Sequence, residues 1–339
     1  MKFTNKYGLP EIVEKFIIKA STEYDGPTAD DINRISVTTL LDSPYIRQLK
    51  RIFWDDIEVD VRSRQHMVLG TMAHTVMEQI SEDPDIHGGL KVIQEKRLEV
   101  EFFGGTEDHM ILSGQFDKLL IGKDAHLVDV KTSGAYSMTN KEKRETYEQQ
   151  VNIYRYMIWK TLRIDTKSAS LFMIAKDWQQ TAWQRAKDAK QPYPKSMFDE
   201  YQVRIAPYDV IEKFIEKALK RHVAANRTGI DTTSCTEKER WSDPMKWAVI
   251  YVNCQDCGGI GWTGDRGCEA CGGSGNPKRS IRNFESKEDA EAMLFKCLNE
   301  GEEVCLEPRY PVRINMRCKD YCDCSAVCPY YQAYLKEQK

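Results

Sequence analysis

"GQFDKLLIGKDAHLVDVKTSG", residues 114 to 134, is the stretch on which the fold turns: two apolar β-runs joined by a short polar turn, with an acid set into each run. Asp117 interrupts the first run, and Asp129 and Lys131 interrupt the second. Side chains alternate faces along a strand, so Asp129 and Lys131 point one way while Val128 and Val130 point the other. If the turn centres on Lys123, Asp117 and Asp129 are equidistant from it and become a directly opposed pair. Opposed carboxylates destabilise a sheet, and a buried unpaired one is costlier still, so the arrangement calls for a cation between them. Oxygen donors without thiolate suit Mg²⁺ or Mn²⁺, with Lys131 placed to act on whatever the ion binds. The alternative is an exposed hairpin carrying a Lys–Asp surface pair.

The rest of the chain bounds what such a hairpin can belong to. Its 339 residues suffice for a large core plus one or two smaller modules. Lys and Arg total 49 against 52 for Asp and Glu, a net charge of −3. No global basic field therefore marks nucleic-acid binding, and a polyanion has to be met by local patches. No apolar run reaches membrane-spanning length, and Glu11 and Glu14 stand inside what would have to be a signal core, so a cytoplasmic protein with no membrane contact is expected. Eleven cysteines in a reducing compartment read as metal ligands rather than disulfides.

Residues 1–60 are mostly helical in pattern, with Ser and Thr caps ahead of an amphipathic run over 36–57. The segment 67–80 is apolar except for His74 and Glu78, and Gly70, His74 and Glu78 are spaced to share one helical face. A strand over 91–103 precedes the hairpin. An amphipathic helix over 140–162, a buried strand over 168–176, a polar and aromatic excursion over 177–200, a strand near 201–206 and a helix over 208–226 follow it. Helix, three strands, helix, strand predicts an α/β core. Four segments are expected: an N-terminal helical region (1–60), a core (61–230), an inserted Gly- and Cys-rich module (231–284) and a C-terminal region packing back on the core (285–339).

Gly70-x3-His74, Gly114-x2-Asp117, Asp129-Val130-Lys131 and Gln150-x3-Tyr154, in that order, resemble the RecB-like branch of the PD-(D/E)XK nucleases, which includes the Cas4 and AddB nucleases and many phage exonucleases. The ordered set covers residues 70 to 154, and "LFMIAKDWQQTAWQRAKDAKQPYP" is further similar to phage-encoded members. The resemblance implies a restriction-endonuclease-like core, a mixed central sheet flanked by helices. It implies that His74, Asp117, Asp129 and the Val130 carbonyl hold Mg²⁺ or Mn²⁺, that Lys131 is catalytic, and that Gln150 and Tyr154 line the DNA side. Many relatives carry Glu where this chain has Asp129, which shortens the ligand arm and keeps its charge. The expected activity is a DNA exonuclease of phage or bacterial recombination and repair, working in the bacterial cytoplasm with a recombination or replication protein as a further partner. Elementary chemistry agrees. Phosphodiester hydrolysis needs a Lewis acid and an activated water, and Lys131 can position that water or offset developing charge. A DNA endonuclease, a catalytically silent DNA- or protein-binding scaffold and a chaperone-like zinc protein are the alternatives. Glu78 is a candidate second-metal ligand, and Glu95 reads as an exposed strand residue.

"CQDCGGIGWTGDRGCEACGGSG" carries Cys254-x2-Cys257 and Cys268-x2-Cys271, each followed by glycines that let the backbone fold around the sulfurs, so one structural zinc is expected. Each half resembles the CxxCxGxG repeat of DnaJ-type zinc domains. At the C-terminal end, "RCKDYCDCSAVCPYY" holds Cys318, Cys322, Cys324 and Cys328, and Cys322-x5-Cys328-Pro329 resembles part of the iron–sulfur motif of the Cas4 and AddB nucleases. Those relatives draw a further cysteine from an N-terminal helix where this chain has Ser43. Cys324 can take its place in a four-thiolate site for a 4Fe–4S cluster or zinc. Cys235, Cys297 and Cys305 read as ordinary buried thiols.

Two basic patches are candidate DNA contacts. Lys176, Arg185, Lys187, Lys190 and Lys195 are interleaved with Trp178, Trp183 and Tyr193, combining phosphate attraction with stacking surfaces. Arg309, Arg313, Arg317 and Lys319 form the second. Either patch alone is equally well a solvated face.

Overall fold

The computed structural model describes residues 1–22, 26–80, 83–230, 234–271, 273–275 and 280–338. The chain divides into two compact units, residues 1–234 with 323–339, and residues 235–322. The expected boundary at 231 and part of the Gly-rich segment, 276–279, lie outside the described residues.

The larger unit is mixed α/β, a central mixed sheet flanked by helices. It runs β1 (Lys2–Thr4), α1 (Glu11–Thr22), β2 (Arg34–Ser36), α2 (Val37–Leu40), α3 (Pro44–Phe53), β3 (Glu58–Asp60), α4 (Gln65–Ile80), β4 (Lys91–Phe102), β5 (Met110–Ile121) and β6 (Ala125–Ser133). Then come α5 (Ala135–Thr139), α6 (Lys141–Leu162), β7 (Thr166–Ala175), α7 (Gln180–Asp188), β8 (Phe198–Gln202) and α8 (Tyr208–Thr228). The last helix of the chain, Pro329–Glu337, also belongs to this unit. The sheet runs β2-β5-β6-β7-β8, with β4 on the other edge of β5. β4–β5, β5–β6 and β7–β8 are antiparallel; β2–β5 and β6–β7 are parallel. The β6–β7 pair needs a crossover, and α6 supplies it.

Helix α6 starts where the Asn140 side chain accepts from the Lys143 N–H at 2.9 Å and ends at Arg163, whose φ is 58°. Residues 151–158 between these ends are all buried. That makes α6 the central core helix, packed with Leu112, Phe116, Leu127 and Leu171 of the sheet. Helix α8 adds the stripe Ile211, Ile215, Leu219 and Val223, at the spacing of one helical face.

Three details differ from the sequence expectation. The first sixty residues are not simply helical: β2 joins the central sheet in parallel with β5, Ile35 beside Leu112. The strand expected near 201–206 is β8, at 198–202. Residues 285–322 group with the cysteine-bearing unit, because the strand Val304–Arg309 pairs with Lys246–Tyr251 inside it.

That smaller unit comprises β9 (Lys246–Tyr251), the two-residue strands β10 (Trp262–Thr263) and β11 (Arg266–Gly267), β12 (Ser280–Phe284), α9 (Lys287–Asn299), β13 (Val304–Arg309) and α10 (Met316–Asp320). Its antiparallel sheet, β12-β9-β13, packs on α9 through Val249, Ala290, Cys297 and Val304. Among the described residues, no helix is long and apolar enough to cross a membrane.

Candidate metal centres

The candidate site lies where β5 changes partner, and the space between its two ladders is called the cleft below. One edge of β5 is paired with β4 along its length; the other pairs with β2 through residues 111–113 and with β6 through 118–121. Residues 114–117 fall between the two ladders. The hairpin register is the one a turn at Lys123 requires: Lys118 pairs with Val128 and Ile121 with Ala125, which sets Asp117 opposite Asp129. The ladder stops there, and the Val130 N–H donates instead to Asp117 Oδ2 at 2.6 Å. Asp129 is only 1% exposed, so this is not a surface hairpin. Lys131 Nζ stands 2.7 Å from Asp129 Oδ2 and 5.8 Å from the centre of the Tyr147 ring. Among the described residues neither Asp129 oxygen accepts a well-directed hydrogen bond, which leaves this buried carboxylate dependent on cations.

Helix α4 brings His74 to the same place. A Cβ at Gly70 would lie 3.1 Å from Thr132 Oγ1, so the glycine lets α4 lie close to β6. His74 Nδ1 is 3.7 Å from Asp117 Oδ1 and 3.6 Å from Glu95 Oε1. The donor atoms of His74, Glu95 and Asp117 all fall within 4.8 Å of one another. Glu95 is thus not the exposed strand residue expected from sequence. In the β4–β5 ladder Gln94 pairs with Lys118 and Lys96 with Phe116, and Glu95 between them faces Asp117 with φ at 45°. The signal for it was the Gly104-Gly105 turn, since a hairpin centred on Thr106 puts Glu95 opposite Asp117. Glu78, one helical turn beyond His74, is exposed and outside this group.

Without a cation the cleft is electrostatically frustrated. Burial, and then the charge of Asp129, push the Asp117 carboxyl up to about 7 against the pull of Lys131 and His74. The Glu95 hydrogen bond raises His74, opposed by burial. Burial works against the Lys131 ammonium, yet Asp129 and Asp117 hold it above its ordinary range. Burial, and then Asp129, raise the Tyr154 phenol to about 12. Gln150 Nε2 donates to Tyr154 Oη at 2.9 Å. The Tyr154 ring lies over Gly114, where a Cβ would come within 2.8 Å of its Cε1 and 2.7 Å of Val37 Cγ2. An imidazole and converging carboxylates, one of them buried without directed hydrogen bonds, fit a divalent ion that prefers oxygen.

In the smaller unit Cys254, Cys257, Cys268 and Cys271 are all buried, with their sulfurs within 4.8 Å of one another. The two knuckles are related as a pair. Gly261 N–H donates to Cys257 Sγ at 3.2 Å and Gly275 N–H to Cys271 Sγ at 3.3 Å. Cys254 N–H donates to the Gly275 carbonyl and Cys268 N–H to the Gly261 carbonyl, each at 2.8 Å. Gly261 and Gly275 both have positive φ, and a Cβ there would come within 2.5 Å and 2.2 Å of backbone oxygens. Four thiolates at this spacing can hold zinc or another tetrahedral metal. Burial opposes the Cys271 thiolate, but N–H donation from Gly275 and the neighbouring thiols bring it down to about 6.

No family model matches the chain, and no curated protein matches it. Among solved structures it is similar to the crystal structure of SSO0001, at 15% identity and a TM-score of 0.42, over 62% of this chain and 84% of that one. At that level the likeness identifies neither a fold family nor an activity.

The remaining expected residues are distributed as follows. Cys318 and Cys322 lie in the smaller unit, and Cys324 and Cys328, both buried, in the larger; Cys235 and Cys297 are buried as expected, whereas Cys305 is exposed, on the opposite face of β13 from the buried Val304. Lys176, Arg185, Lys187 and Lys190 are exposed on and around α7. Trp178 packs against the core and donates its indole N–H to the Pro194 carbonyl, and Tyr193 Oη accepts from the Gln179 N–H. Those two rings hold the excursion to the sheet. Lys187 Nζ lies 5.4 Å from the centre of the Trp183 ring. In the second patch Arg313 is committed to Asp243 through Nε and a terminal nitrogen, and Arg317 lies over the Trp241 ring.

Proposed function

We propose that this chain is a Mg²⁺- or Mn²⁺-dependent DNA nuclease of the RecB-like PD-(D/E)XK type, an exonuclease that enters at DNA ends and leaves a 5′-phosphate and a 3′-hydroxyl. One observation carries the proposal: His74, Glu95 and Asp117 converge beside a buried Asp129–Lys131 ion pair in the gap between two ladders of one strand. His74, Asp117 and Asp129 would hold the ion, whose chemistry is to polarise the phosphoryl oxygen and lower the pKa of water. Lys131, locked by Asp129, offsets charge developing on the phosphoryl group and orients the attacking water. Gln150, half-buried, lines the strand's approach, held by its hydrogen bond to Tyr154, which is buried in the core and positions it rather than meeting DNA as expected from sequence. Lys176, Arg185, Lys187 and Lys190 attract phosphates from one side of the unit. Selectivity then comes from shape, with a free strand entering more readily than a duplex interior. Cys254, Cys257, Cys268 and Cys271 take zinc.

The test uses purified full-length protein with linear and covalently closed circular DNA, single- and double-stranded, in Mg²⁺ or Mn²⁺. Metal-dependent loss of linear DNA, abolished by Lys131→Ala, is the expected result. Equal cutting of closed circles replaces exonuclease with endonuclease. Cleavage that survives Lys131→Ala, or no cleavage of any form, refutes the enzyme in favour of a binding scaffold.

A further inference from the structure

We infer that Glu95 is a metal ligand and that Gln115 and Arg97 are its positioning residues. This rests on the cleft being a divalent-metal centre, as proposed above, but not on its cleaving DNA. Glu95 Oε1 faces His74 Nδ1, while Oε2 accepts from Gln115 Nε2 at 2.9 Å. Gln115 Oε1 in turn accepts from an Arg97 terminal nitrogen at 2.8 Å. Arg97 and Gln115 are register partners, and Glu95 faces Asp117 one pleat along, so β4 and β5 together aim this chain of hydrogen bonds at the cleft. A ligating carboxylate steadied through its second oxygen is how metal sites fix the orientation of a ligand, and it leaves the first oxygen free to coordinate.

The backbone points the same way. Glu95 adopts φ of 45° in the middle of a twelve-residue strand, a conformation that residues other than glycine seldom take. Donor geometry supplies a third observation. The donor atoms of His74, Glu95 and Asp117 lie within 4.8 Å of one another, close enough to share a single ion, and Asp129 stands opposite Asp117 on the neighbouring strand. The centre takes one divalent ion per chain, with His74, Glu95, Asp117 and Asp129 around it.

Titration of the zinc-loaded full chain with Mn²⁺, followed by the electron paramagnetic resonance of the free ion, tests this directly. Wild type should bind one Mn²⁺ in the cleft. Glu95→Gln should weaken it by a factor on the order of ten or more, and Gln115→Leu by up to about tenfold. Glu95→Asp keeps a carboxylate and tolerates the backbone, and should recover most of the affinity. Lys131→Met removes a neighbouring positive charge and should tighten Mn²⁺ while failing to support cleavage. Thermal unfolding of each zinc-loaded variant without Mn²⁺ confirms that it is folded. Wild-type affinity in a folded Glu95→Gln protein, two ions in the cleft, or weakened binding in Lys131→Met overturns the inference while leaving the nuclease proposal open. Mn²⁺ binding of the expected pattern without cleavage of linear DNA does the reverse.

Discussion

Acidification should destabilise the larger unit through one residue, His222 on α8. It is fully buried, and the Leu40 carbonyl that its ring meets favours the charged form without offsetting burial. Burial first, then the positive charges of Arg47 and Arg221, lower it from 6.5 to about 4. Because the folded pKa lies below the unfolded one, the unfolded chain binds more protons between these values. Stability is therefore complete above about pH 6.5 and is lost as pH falls towards 4. The span converts to about 2 kcal/mol by pH 5 and about 3 kcal/mol by pH 4, a large part of an ordinary domain's stability. Urea unfolding of wild type and His222→Phe at pH 7, 6, 5 and 4 isolates the contribution, because carboxylates that titrate in the same range are common to both. The variant should lose about 3 kcal/mol less than wild type over that range. Parallel pH profiles would refute the reasoning and mean that the Leu40 carbonyl and Asp42 stabilise the imidazolium enough to offset its burial.

Further outcomes follow from packing and from metal chemistry. Gly114→Ala should cost about 1–3 kcal/mol and lower any cleavage activity, since its Cβ meets Val37 and the Tyr154 ring; thermal unfolding and DNA degradation measure both. Removal of zinc by a strong chelator, or Cys257→Ser, should unfold residues 250–275 while α6 and the central sheet persist. Amide hydrogen exchange resolves the two regions, and equal protection with and without metal would contradict a structural zinc. Gly275→Ala should lower zinc retention, because its φ of 73° and the Gly259 oxygen leave no room for a Cβ. Metal analysis of the purified protein should find one zinc per chain, lost in Cys254→Ser and Cys271→Ser; protein that is folded without zinc would remove the structural-zinc proposal.

The sequence by itself determined whatever depends on local spacing. A turn at Lys123 dictates that Asp117 opposes Asp129, and the β5–β6 register follows it residue for residue. Apolar periodicity sufficed for α4, α6 and α8, and the repeated Cys-x2-Cys with its glycines sufficed for four converging thiols, because ligands so close in sequence need only a local fold to meet. Relations between distant segments were decided only by tertiary structure. Glu95 looks like any charged strand residue until β4 lies against β5. The basic stretch at 309–319 looks unpaired until Asp243 meets Arg313 from 70 residues away. Trp178 and Tyr193 look like stacking surfaces until the core claims one and the Gln179 N–H the other. The small unit's extent to residue 322 depends on the pairing of β13 with β9. In each case the decisive partner lies beyond the reach of local spacing, and only closure of the sheet and its loops brings the two groups into contact.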